Sequence, residues 1–265
     1  MKKTLLPFAA VVVVAFSIIA CKKDVKLTAQ NEEIPKEALA KIQALGYGTS
    51  SVQIHEDGYL VEGDIILTNE LLNSNPSSTL LRIANSEQYR TTNIVTGLPK
   101  AVTVSISTQL PASYVAALDE AISRYNAQGL RITFSRTNSP AQINIIKGNG
   151  SYLASAGFPS SSGAPYNQIK VNSRAIGNQP QATVASIIAH EMGHCIGFRH
   201  TDYMDRSFSC SGSPTNEGAS TVGAILIPGT NPGPDPNSWM LSCIGSGQNR
   251  PFNTDDKTAL SYLYK

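Results

Sequence analysis

Residues 183–200 read TVASIIAHEMGHCIGFRH, and both the fold and the chemistry turn on them. The stretch reads as a helix over 183–196, ended by Gly197. Positions four apart on a helix share a face, about 5–6 Å from each other. His190 and His194 can therefore offer ring nitrogens to one ion. Glu191 lies about 100° around the helix from His190, beside the ion and not behind it. A carboxylate there can take a proton from water at the metal. Gly197 tolerates the left-handed backbone that other residues avoid, so the chain can turn sharply and return His200 to the same ion. Three histidines with one vacant position make a catalytic zinc arrangement, not a structural one. At average residue usage HExxH arises by chance in roughly one chain in a hundred of this length. Gly197 and His200 at fixed offsets make chance far rarer. Two plainer readings remain beside this one. One is a surface helix with an accidental histidine pair; the other is a zinc site without catalysis, in which Glu191 would have no task.

The surroundings suit a folded enzyme. The 265 residues are 41% hydrophobic and 15% charged, enough apolar mass for one or two globular units. A net charge of +2 and no basic stripe give no grounds for a nucleic-acid partner, and none is expected. Upstream, residues 34–45 have helical spacing and stop at Gly46. Residues 52–54 and 59–67 read as strands joined by the turn signal Glu56-Asp57-Gly58. Residues 80–83 are mixed, and 86–100 are polar and irregular. Residues 102–106 then alternate as a strand should, and a helix opens at Pro111 and ends near Gly129. Strands follow at 130–134 and 142–146, then a Ser/Gly loop over 149–165 with room for a short edge strand, then a strand at 169–172. Beyond His200 the chain is rich in Gly, Pro and Asn until a last helix over 255–264, which follows a capping signal at Thr254.

The N-terminus reads MKKTLLPFAAVVVVAFSIIAC. Its apolar run over 5–20 is short for a membrane span, which needs about 20 residues, and Pro7 interrupts it. It suits the core of a secretory signal. Ile18-Ile19-Ala20-Cys21 resembles the lipobox of bacterial lipoproteins. That resemblance implies a signal peptide over 1–20, cleavage before Cys21, lipid on Cys21, and an exported protein anchored in a bacterial cell envelope. An ordinary secreted protein is the alternative. Export places the remaining cysteines, Cys195, Cys210 and Cys243, in an oxidising compartment. Three allow one disulfide or none. Cys210–Cys243 is the pairing expected, and pairings with Cys195 stay open.

The motif His190 to His200 resembles that of the metzincin clan of zinc endopeptidases, HExxHxxGxxH, and is most similar to the bacterial HEIGH-type metallopeptidases, with Met192 in place of their isoleucine. The resemblance covers roughly 101–265. It implies an α+β fold, with a twisted mixed sheet and active-site helix in an upper subdomain (101–197). An irregular lower subdomain (198–265) carries the C-terminal helix, and a tether and small propeptide domain (21–100) precede both. Zinc is the implied cofactor, at the floor of the cleft between the subdomains. Structural calcium occurs in the clan, but no loop here is defined for it. The clan also carries a methionine in a turn beneath the ligands. Of four methionines, Met240 fits, and its task with Gly197 would be to support the zinc site; Met240 and Trp239 as ordinary core residues is the plainer reading. Astacins, one branch of the clan, often carry a tyrosine two residues after this methionine and a glutamate after the third histidine. Ser242 and Thr201 stand there instead, and Asp202 is a weak substitute for the glutamate.

Val61-Glu62-Gly63-Asp64-Ile65 resembles the FxGD segment of astacin propeptides, with Val61 where phenylalanine is usual. The resemblance implies that Asp64 caps the zinc in a latent precursor. The alternative is a hairpin with a surface turn at Gly63-Asp64. Activation would need a cut within 89–101, where Arg90 and Lys100 are the expected exposed sites, and would release the enzyme from its lipid.

The expected function is hydrolysis of protein or peptide substrates by a monomeric zinc endopeptidase, with Glu191 as proton carrier. A substrate would lie extended along an edge strand near 152–156, a placement implied by the clan. The rivals are a catalytically silent, zinc-containing lipoprotein acting as a binding module, and a zinc hydrolase acting on an ester or small amide.

Overall fold

The computed structural model describes residues 33–45, 47–73, 88–138, 140–216, 224–231 and 233–265. The signal over 1–20, the lipid site Cys21, Gly46 and the mixed stretch 80–83 lie outside them. No helix among the described residues is long and apolar enough to cross a membrane.

The chain begins with helix α1 (Lys36–Ala44) and strands β1 (Gln53–His55), β2 (Gly58–Val61) and β3 (Ile65–Thr68), then a short α2 (Asn69–Asn73) and β4 (Tyr89–Arg90). Next come β5 (Lys100–Ile106), α3 (Ser113–Asn126), β6 (Ile132–Arg136), β7 (Ile143–Lys147), β8 (Ala154–Gly157) and β9 (Gln168–Val171). The chain finishes with α4 (Ser173–Ile176), the histidine-bearing helix α5 (Gln181–Cys195), β10 (Ile225–Leu226) and α6 (Thr254–Tyr264).

Eight strands form one mixed sheet in the order β1-β2-β3-β8-β9-β7-β5-β6, and β10 pairs with β4 separately. Alternation makes the sheet's inner face: Val102, Val104, Ile132, Phe134, Ile143, Ile145, Ile169 and Val171 are all buried in one core. Helices α3 and α5 pack on that face. α3 contributes the stripe Tyr114, Ala117, Leu118, Ala121, Ile122 and Tyr125. α5 has no polar face; every residue from Thr183 to Cys195 is buried.

Three expectations change. The predicted strand over 59–67 is two strands, β2 and β3, which fold back on each other with Val61 opposite Ile65. Glu62 and Gly63 make the turn with φ of 55° and 91°, a conformation the apolar run does not advertise. The predicted edge strand within 149–165 exists as β8 but is not an edge. Antiparallel β9 flanks it on one side and parallel β3 on the other. The capping residue of α6 is Asn253, one residue before Thr254: Asp256 N–H donates to Asn253 Oδ1 and Asn253 N–H to Asp256 Oδ2.

Residues 33–265 are one compact unit, and packing shows no break at residue 100. Nor are Arg90 and Lys100 exposed. Both are half-buried and strand-paired, Arg90 with Ile225 and Phe198, Lys100 with Ile132. The stretch between them supports the end of α5. Thr91 N–H donates to Gly197 O at 2.8 Å, and Arg199 N–H donates to Tyr89 O at 2.9 Å.

Candidate metal centre

The last two turns of α5 set His190 and His194 one above the other, their ring centroids 4.7 Å apart. Gly197 then turns with φ 108° and brings His200 to within 5.3 Å of His190 and 5.0 Å of His194, centroid to centroid. A side chain at Gly197 would be strained by that φ and would also place Cβ 2.9 Å from Asn93 O.

Each ring on α5 is aimed by a carbonyl. His190 Nδ1 donates to Trp239 O at 2.9 Å, and His194 Nδ1 to Phe198 O at 2.8 Å. A carbonyl can only accept, so these contacts fix the proton on Nδ1 and bare Nε2. The Nε2 atoms of His190 and His194 are buried with no hydrogen-bond partner. Burial, aided by the other two histidines, pulls the His194 pKa well down and keeps the neutral form that a metal requires.

The turn between β2 and β3 enters from the other side. Asp64 Oδ2 lies 3.1 Å from His200 Nε2 and 3.5 Å from His190 Nε2. Burial works to raise the Asp64 carboxyl, but His200, His190 and His194 outweigh it and hold it well below the usual carboxylate range. The plainer expectation, a hairpin turn, is thus found, but the turn points inward. Ligand atoms from Asp64, His190, His194 and His200 all lie within 4.8 Å of one another. Three imidazoles, two of them with an unpartnered Nε2, and a carboxylate oxygen are the donor set that suits zinc, and the residues fit the ion. Among the described residues this is the one such cluster. Glu191 is buried beside it, and its Oε2 has no partner. Burial, then the Asp64 charge, push its carboxyl well above the ordinary value.

Below the histidines lies the turn with Trp239 and Met240, both buried. A Cβ on Gly193 would stand 2.6 Å from Met240 Sδ and 3.2 Å from the Trp239 indole, so glycine inside the motif lets the floor approach. Thr201 N–H donates to Met240 O at 3.0 Å. Three supports were not found in the sequence. Asp256 accepts from Trp239 N–H, Ser238 Oγ and Gln88 Nε2, pinning the floor to α6. Asp202 accepts from Ser242 N–H and Oγ, which ties it to the methionine turn. Arg199 is fully buried in an ion pair with Glu62 of the turn. The last signal available was a charged pair at Glu62 and Arg199, far apart in sequence. Cys210 and Cys243 form a disulfide across this half, and Cys195 is a buried free thiol.

A cavity of about 240 Å³ opens beside the site, lined among others by Tyr152, Ile187, Glu191, Trp239 and Arg250.

A family model described as dual-action HEIGH metallo-peptidase matches residues 60–264. No curated protein matches the chain. Among solved structures, one of myroilysin is similar at 17% identity, covering 66% of this chain and 98% of that one, with a TM-score of 0.43. A crystal structure of myroilysin stands at 13% identity, 65% and 86% coverage, and a TM-score of 0.41. High choriolytic enzyme 1, a hatching-enzyme zinc-protease of the medaka fish Oryzias latipes, stands at 20% identity, 62% and 88% coverage, and 0.37.

Proposed function

The chain belongs to the family of dual-action HEIGH metallo-peptidases, and from that premise we propose that it is a zinc endopeptidase held latent by its own β2–β3 turn. The observation that carries the proposal is Asp64, whose carboxylate lies 3.1 Å from His200 Nε2 and 3.5 Å from His190 Nε2.

His190, His194 and His200 are the ligands in this reading. A zinc ion held there would supply Lewis acidity to a peptide carbonyl and make water at the site more acidic. Trp239 O and Phe198 O keep two of the rings in register. Glu191 holds an unpartnered oxygen in a dry pocket, where it can take a proton from attacking water and give it to the departing amine. Asp64 stands where that water would have to be. β3 meanwhile lies along β8, the strand a substrate would use, and Ala156 N–H is spent on Asp64 O at 2.9 Å. One hairpin therefore covers both the metal and the substrate strand.

The catalytic unit in this reading begins near Gln88 and not at residue 101, because residues 88–99 hold the chain around Gly197. Activation is then displacement of the hairpin, and a cut within 89–101 would remove support from the site. Export with a lipid on Cys21 completes the picture; the Cys210–Cys243 disulfide suits an oxidising compartment.

The test is a comparison of three zinc-loaded full-length proteins on a protein substrate. Asp64→Ala should raise hydrolysis at least several-fold over wild type. Adding Glu191→Ala should lower it by about 10²–10⁴-fold while zinc content stays the same. Equal hydrolysis by wild type and Asp64→Ala would remove the latency, and turnover retained without Glu191 would remove its role.

A further inference from the structure

Arg199 sits between the second and third histidines of the motif and is fully buried. A guanidinium does not shed its charge, so a buried one needs a carboxylate nearby. Glu62 supplies it: the Arg199 Nη2 donates to Glu62 Oε1. The guanidinium lies 4.5 Å from the ring centre of Tyr47 and 5.6 Å from that of Tyr203. Glu62 Oε2 is 4.0 Å from His200 Nδ1. The carboxylate is thus bound between the cation and the back of the third histidine.

The two sides of this site belong to different parts of the molecule. Arg199, Tyr203 and His200 follow α5 and stay with it. Glu62 and Tyr47 come with the hairpin and its preceding segment. The hairpin is bent to deliver the carboxylate, since Glu62 takes φ 55°, which a residue with a Cβ adopts at a cost. Displacement of the hairpin would take that carboxylate and the Tyr47 ring away from Arg199.

We propose that Arg199 is a carboxylate-recognition residue of the open enzyme, that it draws acidic side chains of protein substrates to the cleft beside the third histidine, and that Glu62 is its internal mimic in the latent chain. The proposal rests on the latency read from Asp64. It adds the substrate class: proteins carrying Glu or Asp close to the bond that is cut.

Two peptide libraries test it, identical except that one carries Glu wherever the other carries Gln. The protein is the full zinc-loaded chain with Glu62→Gln and Asp64→Ala, with and without Arg199→Lys. The Glu library should be hydrolysed with about tenfold higher kcat/KM, as an ionic hydrogen bond provides, and Arg199→Lys should reduce that preference. Binding measured by fluorescence anisotropy, with Glu191→Ala added, should show the same preference without turnover. Equal binding of the two libraries overturns the subsite, whatever the hydrolysis. Preferential binding of the Glu library with no hydrolysis of either supports the subsite and counts against the peptidase reading instead. Hydrogen exchange over residues 58–68 gives an independent reading of the mimic. Glu62→Gln alone should speed it several-fold, and unchanged exchange would overturn the role of Glu62.

Discussion

Helix α5 and the β2–β3 hairpin reach the same point from opposite sides, and they are held in opposite ways. α5 is wrapped on every side by one large core, and its histidines are aimed by backbone carbonyls of neighbouring loops. The hairpin has a small core of its own, with Val61, Ile65 and Leu67 against Tyr47 and Phe158. Besides its strand pairing with β8 and its apolar contacts with Phe158, Tyr152 and Tyr166, it is held to the rest of the molecule by charge: Glu62 with Arg199, Glu56 with Lys170, Asp64 with the histidines. A close-packed core does not open in pieces; of the charge contacts, Glu56–Lys170 is partly exposed and weak, whereas the buried Glu62–Arg199 pair is costly to break while either charge stays buried. The difference is between an element held by one large core and one held by a small core, a strand pairing and charges.

The comparison breaks first at the floor of α5. Trp239 is almost fully buried, packs edge-on against Phe198 and Phe252, and donates from Nε1 to Ala189 O at 3.2 Å. Trp239→Ala should cost about 3–5 kcal/mol in chemical denaturation, and weaken zinc binding with it. A smaller loss on the same side tests the irregular half. The Cys210–Cys243 bridge spans a sequence separation of 33, and replacing both by serine should cost roughly 3–4 kcal/mol. Thermal unfolding of the oxidised wild type and the double-serine variant measures it, and a loss under 1 kcal/mol would show that the loop is organised without its bridge.

The smallest effect is expected at the hairpin and sharpens the contrast. His55 Nε2 faces Lys170 Nζ at 3.1 Å, with Asp57 at 3.5 Å from Nδ1 and Glu56 on the same lysine. Burial, then the Lys170 charge, pull the His55 pKa below its ordinary 6.5, against the pull of Asp57 and Glu56. A histidine lowered in this way takes up its proton more readily when released. The stability it gives is present above pH 6.5 and is lost as pH falls from there through the lowered folded value. Protection factors of residues 53–68, corrected for the intrinsic pH dependence of amide exchange, should fall mildly below that pH, and His55→Gln should flatten the response.

What the sequence carried, and what it hid, follows the same division. Helix α5, the strand-helix-strand run β5-α3-β6 and α6 were readable because each buries a regular stripe or alternation against one core. His190, His194 and His200 were readable because one helix turn and one glycine fix their spacing. The β2–β3 turn was hidden inside the apolar run 59–67, since Glu62 is not a turn former by itself; Arg199 holds it in that conformation. The place of β8 was hidden for a related reason. Whether a short strand is an edge depends on which distant segment pairs with it, and nothing local to Ala154–Gly157 records that β3 does. Asp256 escaped notice because its partners, Gln88, Ser238 and Trp239, meet only in the folded chain.

The final helix has a bearing on timing. Tyr264 donates its hydroxyl to Ile196 O, at the end of the active-site helix, and receives Val95 N–H at 3.2 Å, while Asp256 steadies the Trp239 turn. A ribosome must therefore deliver residue 264 before the histidines gain their final seat. Chains cut short of Tyr264 lack its hydroxyl and with it the contact to Ile196 O at the end of α5.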